Sequence, residues 1–310
     1  MKKVTIIIPA KNEAAGLVQV LPLIRGVIPN ADILVVDDGS TDETCKVAES
    51  YGATVYSHPA SMGNGAAIKS GARAAHGDIL VFMDADGQHK PEDIPNLVAA
   101  LASGYDMVVG ARSTGSQAGA HRAIANAIYN SLASWMVGRP VLDLTSGFRA
   151  VDAMKFRQFL YLLPNGFSYP TTITMSFFRA GYAVRYLPIV APPRIGKSHV
   201  GIFRDGIRFF LIIFKVGTLY SPLKLFVPIS AAFFLTGAGY YIYTYLAFHR
   251  FTNMSALMFI TSIQVFLMGL VSEQISALNY KDSNALLGAE SRPLQNDTRK
   301  QKQVAPSQTD

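Results

Sequence analysis

Two acidic residues two positions apart, Asp84 and Asp86, end the apolar run in "LVFMDADGQH". In an extended chain, residues i and i+2 point the same way, so both carboxylates aim at one spot. Left alone they repel each other. A hard divalent cation removes that repulsion. Mg²⁺ or Mn²⁺ fits, because it accepts one or two carboxylates, keeps several waters and binds the phosphate oxygens of a substrate. Such an ion neutralises a diphosphate and makes it a stable leaving group. Two other segments close apolar runs with similar polar punctuation, "IIIPAKNE" and "VVDDGSTD". If the three runs are parallel strands, Pro9, Asn12, Glu13, Asp37, Asp38, Asp84, Asp86 and Gln88 converge on one edge. Turn chemistry, for which Asp and Gly are well suited, explains any one of these segments but poorly explains all three. The cations available to meet phosphate are Lys69, Arg112, Arg122, Arg149, Arg194 and Lys197. They are too many for all of them to be catalytic.

The elements that must position these residues alternate along the first 110 positions. Strand-like runs cover 4–8, 33–36, 54–56, 79–83 and 107–109. Helical patterns cover 14–27, 42–51, 66–75 and 91–103, with Ser40 or Thr41 suited to cap the second. The strands are continuous apolar runs rather than alternating ones, so both faces of the sheet should be covered. This predicts an α/β fold with a mostly parallel, doubly wound sheet that binds ligands beyond its carboxyl edge. The apolar run at the N-terminus is too short for a signal peptide and is closed by Lys11 and Glu13.

The last third reads differently. Residues 225–248 and 251–272 carry no charge, and only His249 and Arg250 separate them. A helix over the first run would span ~36 Å against a hydrocarbon core of ~30 Å. Soluble buried helices rarely lack charge for so long. Basic residues flank the outer ends (Lys215, Lys224, Lys281), which predicts a transmembrane hairpin with the large domain and the tail in the cytoplasm; Arg250 in the hairpin loop mildly opposes this. Between 201 and 222, Arg204, Arg208 and Lys215 share one helix face and Phe209, Phe210, Ile213 and Phe214 fill much of the rest, as in an interfacial helix. The expected organisation is a catalytic domain at 1–200, the interfacial helix at 201–222, the hairpin at 223–278 and a disordered polar tail at 279–310.

Composition narrows the classes. The net charge is +7, and the stretch from Arg194 to Lys224 holds six Lys and Arg against one acid, Asp205. That pattern suits phosphates or an anionic bilayer. Nucleic acid fits less well, because the aromatics sit inside apolar runs rather than forming a stacking platform. The single cysteine, Cys45, allows no internal disulfide and suits a reducing compartment.

Taken together, "IIIPAKNE", "ILVVDDGSTDET", "GNGAAIKSGARAAHGDILVFMDADGQHKPEDIP", "DMVVGAR", "LTSGFRA" and "RIGKS" resemble family 2 glycosyltransferases. More narrowly they resemble the polyprenyl-phosphate sugar synthases of the dolichol-phosphate mannose synthase type, over residues 4 to 215. The resemblance implies a GT-A fold, a nucleotide-sugar donor, a divalent metal and inversion at the anomeric carbon. Pro9 and Glu13 resemble the donor-nucleotide edge, Asp38 the nucleotide-binding acid, and Asp84, Asp86 and Gln88 the metal and diphosphate site. Arg112 and Arg122 resemble basic residues near the acceptor phosphate, and Arg194 and Lys197 the late loop that closes on the diphosphate. Donor binding is thus expected of Pro9, Glu13, Asp38, Lys69, Asp84, Arg112, Arg194 and Lys197. Catalysis is expected of Asp86 and Arg122, and metal ligation of Asp84, Asp86 and Gln88. Lys11 departs from the pattern, since many members carry Tyr there. The expected reaction is hexose transfer from a donor of the GDP-mannose or UDP-glucose type to dolichyl or undecaprenyl phosphate at the cytoplasmic membrane face. The expected partners are a nucleotide-sugar, polyprenyl phosphate and the bilayer, with no nucleic acid. Gly237 and Gly239 leave a homo-oligomer open.

Other classes fit less well. A processive polysaccharide synthase would carry Gln-x-x-Arg-Trp, but the one tryptophan is Trp135 in "ASWMVGR". A polysaccharide enzyme with a non-phosphate acceptor and a non-catalytic scaffold of the same fold remain as alternatives. "RIGKS" is not a phosphate-binding loop, because Ala191 stands where glycine is required. A dinucleotide enzyme lacks its Gly-x-Gly-x-x-Gly after the first strand.

Overall fold

The computed structural model describes residues 2–112, 120–166, 169–190, 214, 217–218 and 220–290. The elements are β1 (Val4–Ala10), α1 (Ala14–Val27), β2 (Asp32–Asp37), α2 (Thr44–Ser50), β3 (Thr54–Ser57), α3 (Asn64–Ala74) and β4 (Ile79–Phe82). A 3-10 turn, Pro91–Asp93, leads into α4 (Ile94–Ala102), β5 (Met107–Arg112), α5 (Ala120–Val137), β6 (Arg149–Asp152), α6 (Ala153–Arg157), α7 (Tyr169–Arg179) and β7 (Val184–Ile189). Two long helices follow, α8 (Pro222–Phe248) and α9 (Asn253–Glu290).

The seven strands form one sheet in the order β3-β2-β1-β4-β6-β5-β7. All pairings are parallel except those of β6, which runs antiparallel to β4 and β5. Continuous apolar strands do cover both faces. Ile6, Ile8, Ile33, Val35, Ile79 and Val81 pack into one core with α1, α2 and α4. Their neighbours Ile7, Leu34, Val36, Leu80 and Phe82 pack into the other with α3, α6 and α7. Alternation of side chains across a strand splits each run between the two cores. Helix α3 comes close because it is built of Gly and Ala; a Cβ on Gly71 would stand 2.5 Å from Ile7 Cγ2.

The structure departs from the sequence expectation in four places. β6 and β7 had no strand signal, because "RAVD" is short and charged at both ends, and "VRYLPI" contains Pro188. Proline is tolerated there because β7 is an edge strand. Helix α7 is rich in Thr yet helical, and it is buried from Tyr169 to Phe177. Its hydroxyls bond back along the helix, Thr174 Oγ1 to Pro170 O at 2.7 Å and Ser176 Oγ to Thr172 O at 2.9 Å. Helix α2 begins at Thr44, and Asp42 rather than Ser40 or Thr41 accepts its first N–H, at 3.1 Å. Finally, α9 runs on to Glu290, so residues 281–290 are helix and not the start of an irregular tail; Ala285, Leu286, Leu287, Ala289 and Glu290 all favour helix. The expected interfacial helix falls almost wholly outside the described residues, as does the tail from 291.

Helices α8 and α9 are apolar enough to cross a membrane over Pro222–Phe248 and Asn253–Leu278, with mean hydropathy 1.6 and 2.0. They are not core helices of a soluble fold. Leu235, Leu246 and Leu267 are 68%, 72% and 52% exposed. The two pack on each other through small residues. Ser230 Oγ donates to Ser262 O and Ser262 Oγ to Ser230 O, each at 2.9 Å, while Gly237 and Gly269 admit Met258 and Phe226. The hairpin is also fastened to the α/β domain. Arg179 of α7 pairs with Glu273 of α9 at 3.2 Å, and Lys224 Nζ donates to Met136 O, at the end of α5, at 2.9 Å. Replacing both Ser230 and Ser262 with alanine should weaken the hairpin by about 0.6–1.7 kcal/mol, read as a lower unfolding midpoint in detergent or lipid.

Candidate active site

The loops after β1 and β2 hold each other in place. Asn12 adopts a left-handed backbone, φ 55°, which Asn tolerates better than most residues. Its Oδ1 accepts Thr41 N at 2.8 Å and its own N–H donates to Ser40 Oγ at 2.9 Å. Glu13 N donates to Thr44 Oγ1 at 3.0 Å and Ala14 N to Asp42 Oδ2 at 3.3 Å. These crossed bonds make one rigid platform of "AKNE" and "GSTDET".

Asp38 is the hub of that platform. Its Oδ1 accepts His58 Nδ1 at 2.8 Å and Met62 N at 2.7 Å; its Oδ2 accepts Ser61 Oγ at 2.8 Å and Gly63 N at 2.9 Å. Burial alone would raise its pKa, but the bonds from His58, Met62, Gly63 and Ser61 outweigh it and hold the acid at about 2. Lys11 extends the network by donating to Ser61 Oγ at 3.0 Å. This hub is where the structure places the acid expected at the nucleotide. Its four acceptor positions are taken by its own chain, and it braces the segment 58–63.

Asp84 and Asp86 stand on the turn that leaves β4, on the same edge. Gly87 takes φ 75°, which lets Gln88 N return to Asp86 Oδ1 at 3.1 Å. The turn is pressed from two sides. A Cβ on Gly16, in the first turn of α1, would meet Ala85 O at 2.1 Å, and one on Gly147 would meet Asp84 Oδ2 at 3.1 Å. Pro9 lies in β1 opposite Val36, and Glu13 beside Gly16, so both border this edge.

His89, which the sequence did not single out, sets the turn. Its ring is buried and stacked on Phe148, centroids 4.9 Å apart. Nδ1 accepts the N–H of Asp84 at 3.1 Å. Burial pushes its pKa down to about 4, against the opposing pull of Asp86, so the ring is neutral at pH 7 with its proton on Nε2. Only its nearness to Asp-x-Asp could have flagged it.

The expected cations divide. Arg112, at the end of β5, is clamped by Asp143: Nε to Oδ2 at 2.8 Å and Nη2 to Oδ1 at 3.0 Å, with Thr145 Oγ1 at 2.6 Å. Asp143 thus anchors the guanidinium at the carboxyl edge, where it also feels the charge of Asp84. Lys69 donates to Leu163 O at 3.2 Å and to Asn165 Oδ1, bracing the 163–165 loop. Arg149 is fully buried under the site and donates to Thr174 Oγ1 at 3.1 Å and to Pro170 O at 3.3 Å. Arg122 lies in the first turn of α5, with its side chain outside what is described. Arg194 and Lys197 lie outside the described residues.

Among the described residues no group of three His, Cys, Asp or Glu side chains could cage a metal ion. Asp84 and Asp86 instead offer hard oxygens on one turn. That donor set fits an open Mg²⁺ or Mn²⁺ site completed by water and phosphate.

Gly16→Ala should disturb the Asp turn, lowering stability by about 1–3 kcal/mol and turnover with it. Gly26→Ala in the same helix has open space and should be neutral or stabilising. Thermal melts and a transfer assay separate the two. Asp38 has a depressed pKa, so its stabilisation is present above the ordinary value of 3.8 and is lost as pH falls towards about 2. Asp38→Asn should be less stable at pH 7 and should lack that part of the acid limb in pH-dependent unfolding.

Comparison with known proteins agrees with this geometry. The family model "Glycosyl transferase family 2" matches residues 5–160, and the "GtrB C-terminal hairpin" matches residues 221–278. The undecaprenyl-phosphate mannosyltransferase of Micrococcus luteus is 30% identical over 63% of this chain and 86% of that protein. Glycosyltransferase AglJ of Haloferax volcanii is 29% identical over 77% of this chain and 80% of its own length. The glucosyl-3-phosphoglycerate synthase of Mycobacterium tuberculosis, solved with Mn²⁺ and uridine-diphosphate-glucose, superposes with a TM-score of 0.56 at 25% identity, over 68% of this chain and 79% of that one. The sheet is thus of the GT-A type, and the chain is a glycosyltransferase that belongs to glycosyl transferase family 2 and carries a GtrB-type C-terminal hairpin.

Proposed function

We propose that this enzyme transfers a hexose, with inversion, from a nucleotide-sugar of the GDP-mannose or UDP-glucose type to a polyprenyl phosphate at the cytoplasmic face of a membrane. The observation that carries this reading is a combination. The paired aspartates sit on the carboxyl edge of a domain fastened directly, through Arg179–Glu273 and Lys224–Met136, to two helices of membrane length. The named activities of relatives such as the undecaprenyl-phosphate mannosyltransferase support the lipid acceptor.

The acceptor chemistry explains what the site contains. An alcohol acceptor would need a general base. A phosphate monoester has a second pKa near ~6 and is already anionic, so none is required. One phosphate oxygen attacks the anomeric carbon, the bond from that carbon to the diphosphate oxygen breaks, and the nucleoside diphosphate leaves with the electron pair. Asp84, Asp86 and Gln88 would hold Mg²⁺ or Mn²⁺, which supplies positive charge to the leaving diphosphate. His89 and Gly16 fix the turn on which these residues stand. Arg122, Arg194 and Lys197 are assigned to screening acceptor from donor. Positioning and electrostatics then provide the rate.

The test supplies labelled GDP-mannose or UDP-glucose with undecaprenyl phosphate to membranes holding the protein. Label should pass into organic solvent; label confined to an aqueous, ethanol-insoluble product would overturn the acceptor assignment. Asp86→Asn should reduce kcat at least about a hundredfold, the size of effect of removing one electrostatic stabiliser. Arg122→Ala should chiefly raise KM for the lipid phosphate, by about ten- to a hundredfold, as expected for one lost charge-assisted bond. An unchanged acceptor KM would remove Arg122 from that role.

A further inference from the structure

Arg149 is a buried cation whose partners are all neutral. It is fully buried, and its register neighbours across the sheet are Phe82 of β4 and Val109 of β5, both in the apolar core. An aliphatic side chain would suit that row. A buried guanidinium is costly unless something answers its charge. Among the described residues no carboxylate pairs with Arg149.

Nη1 donates to Thr174 Oγ1 at 3.1 Å and to Pro170 O at 3.3 Å, and Nη2 donates to Ser146 O. The ring centroid of Tyr169 lies 5.7 Å from Cζ. Nε has no hydrogen-bond partner. These groups satisfy most of the donors and leave the positive charge whole.

That charge stands behind Asp84. Side chains alternate along an extended chain, so Asp84, two residues past Phe82, points to the same face as Phe82 and Arg149. At ~3.3 Å per residue along the strand and ~4.8 Å between strands, the backbones of Arg149 and Asp84 are about 8 Å apart. The layer between them is thin. Arg149 Nη2 holds Ser146 O, and a Cβ on the next residue, Gly147, would stand 3.1 Å from Asp84 Oδ2 and 3.4 Å from Tyr169 Oη. Tyr169 Oη in turn donates to Gly147 O at 3.1 Å. Burial pushes the guanidinium's pKa down, while Tyr169, Tyr186, Asp143 and Asp84 favour its charged form.

Asp84 and Asp86 can balance a divalent ion between them. The negative charge of a diphosphate is then left for the rest of the protein to answer. We propose that Arg149 is a positioning residue for the donor: its buried charge, acting through the backbone of 146–147, draws the diphosphate onto the aspartate turn. The inference rests on the reading of the donor as a nucleotide-sugar. A buried, fixed charge needs no reorganisation when the ligand arrives, and salt screens it less than a surface arginine. The same charge repels the metal, so Arg149 exchanges cation affinity for anion affinity.

The experiment titrates the full-length protein in detergent with UDP or GDP at saturating Mn²⁺, by calorimetry, and with Mn²⁺ alone, by electron paramagnetic resonance. R149M, similar in volume and uncharged, should bind the nucleoside diphosphate about tenfold more weakly and bare Mn²⁺ about threefold more tightly. Opposite signs identify a charge, because a damaged turn would weaken both ligands. R149K keeps the charge without the fork, so it should lower Tm yet hold the diphosphate within about threefold of wild type. Wild-type diphosphate affinity in R149M, or parallel loss of both ligands, overturns the proposal. If R149M does not fold, R149K decides: a loss of diphosphate affinity of about tenfold in the folded lysine variant overturns it equally. Wild-type protein that binds neither UDP nor GDP would instead overturn the donor reading itself, before any variant is compared.

Discussion

Carboxylates crowd one edge of this sheet: Asp37, Asp38, Asp42, Asp84, Asp86 and Asp143. Two such charges 4 Å apart repel by about 4 kcal/mol at an effective dielectric of 20. The protein does not meet this with lysines. It surrounds the acids with N–H and O–H donors, from Ser40, Thr44, Met62, Gly63 and Gln88 among others, and pairs a guanidinium directly with Asp143. Hydrogen bonds to the charged form keep an acid ionised without cancelling its field. The edge therefore stays negative and rigid, which is the condition for gathering a cation and a diphosphate.

Much of this was legible in the residues. Continuous apolar runs gave the five strands β1 to β5 and their parallel arrangement, and the polar strand ends gave the edge. What escaped notice was either too short, as in β6, or hidden by composition, as in the Thr-rich α7. The identity of the acids was plain, but not their partners. Asp38 and Asp84 look alike in one dimension, yet one accepts four bonds from the 58–63 segment and the other stands half-buried on the turn that leaves β4. Lys69 and Arg112 show the same limit. A cation near a phosphate motif can serve the ligand or the loop, and only contacts such as Lys69 to Leu163 O and Arg112 to Asp143 distinguish them. His89 was unreadable because its role depends on a stack with Phe148, from a distant strand boundary.

The hairpin and the α/β domain meet in a polar joint rather than a greasy one. Glu273 takes Arg179 on one oxygen and the N–H of Leu223, in the first turn of α8, on the other at 3.4 Å. Lys224 meets the carbonyl end of α5, where the helix dipole favours a cation. Opposite helix termini are thus closed by charges borne on the hairpin, which joins the two parts through orientation-dependent bonds.

The reciprocal serines Ser230 and Ser262 carry a geometric consequence. Sliding one helix along the other by a single turn, about 5.4 Å, would strand both hydroxyls among apolar side chains. The pair therefore acts as a detent that fixes the reach of the hairpin from the α/β domain to which it is fastened. A unit that does not telescope keeps its far end at one distance from the sugar-transfer centre, so that height is a property of the protein itself.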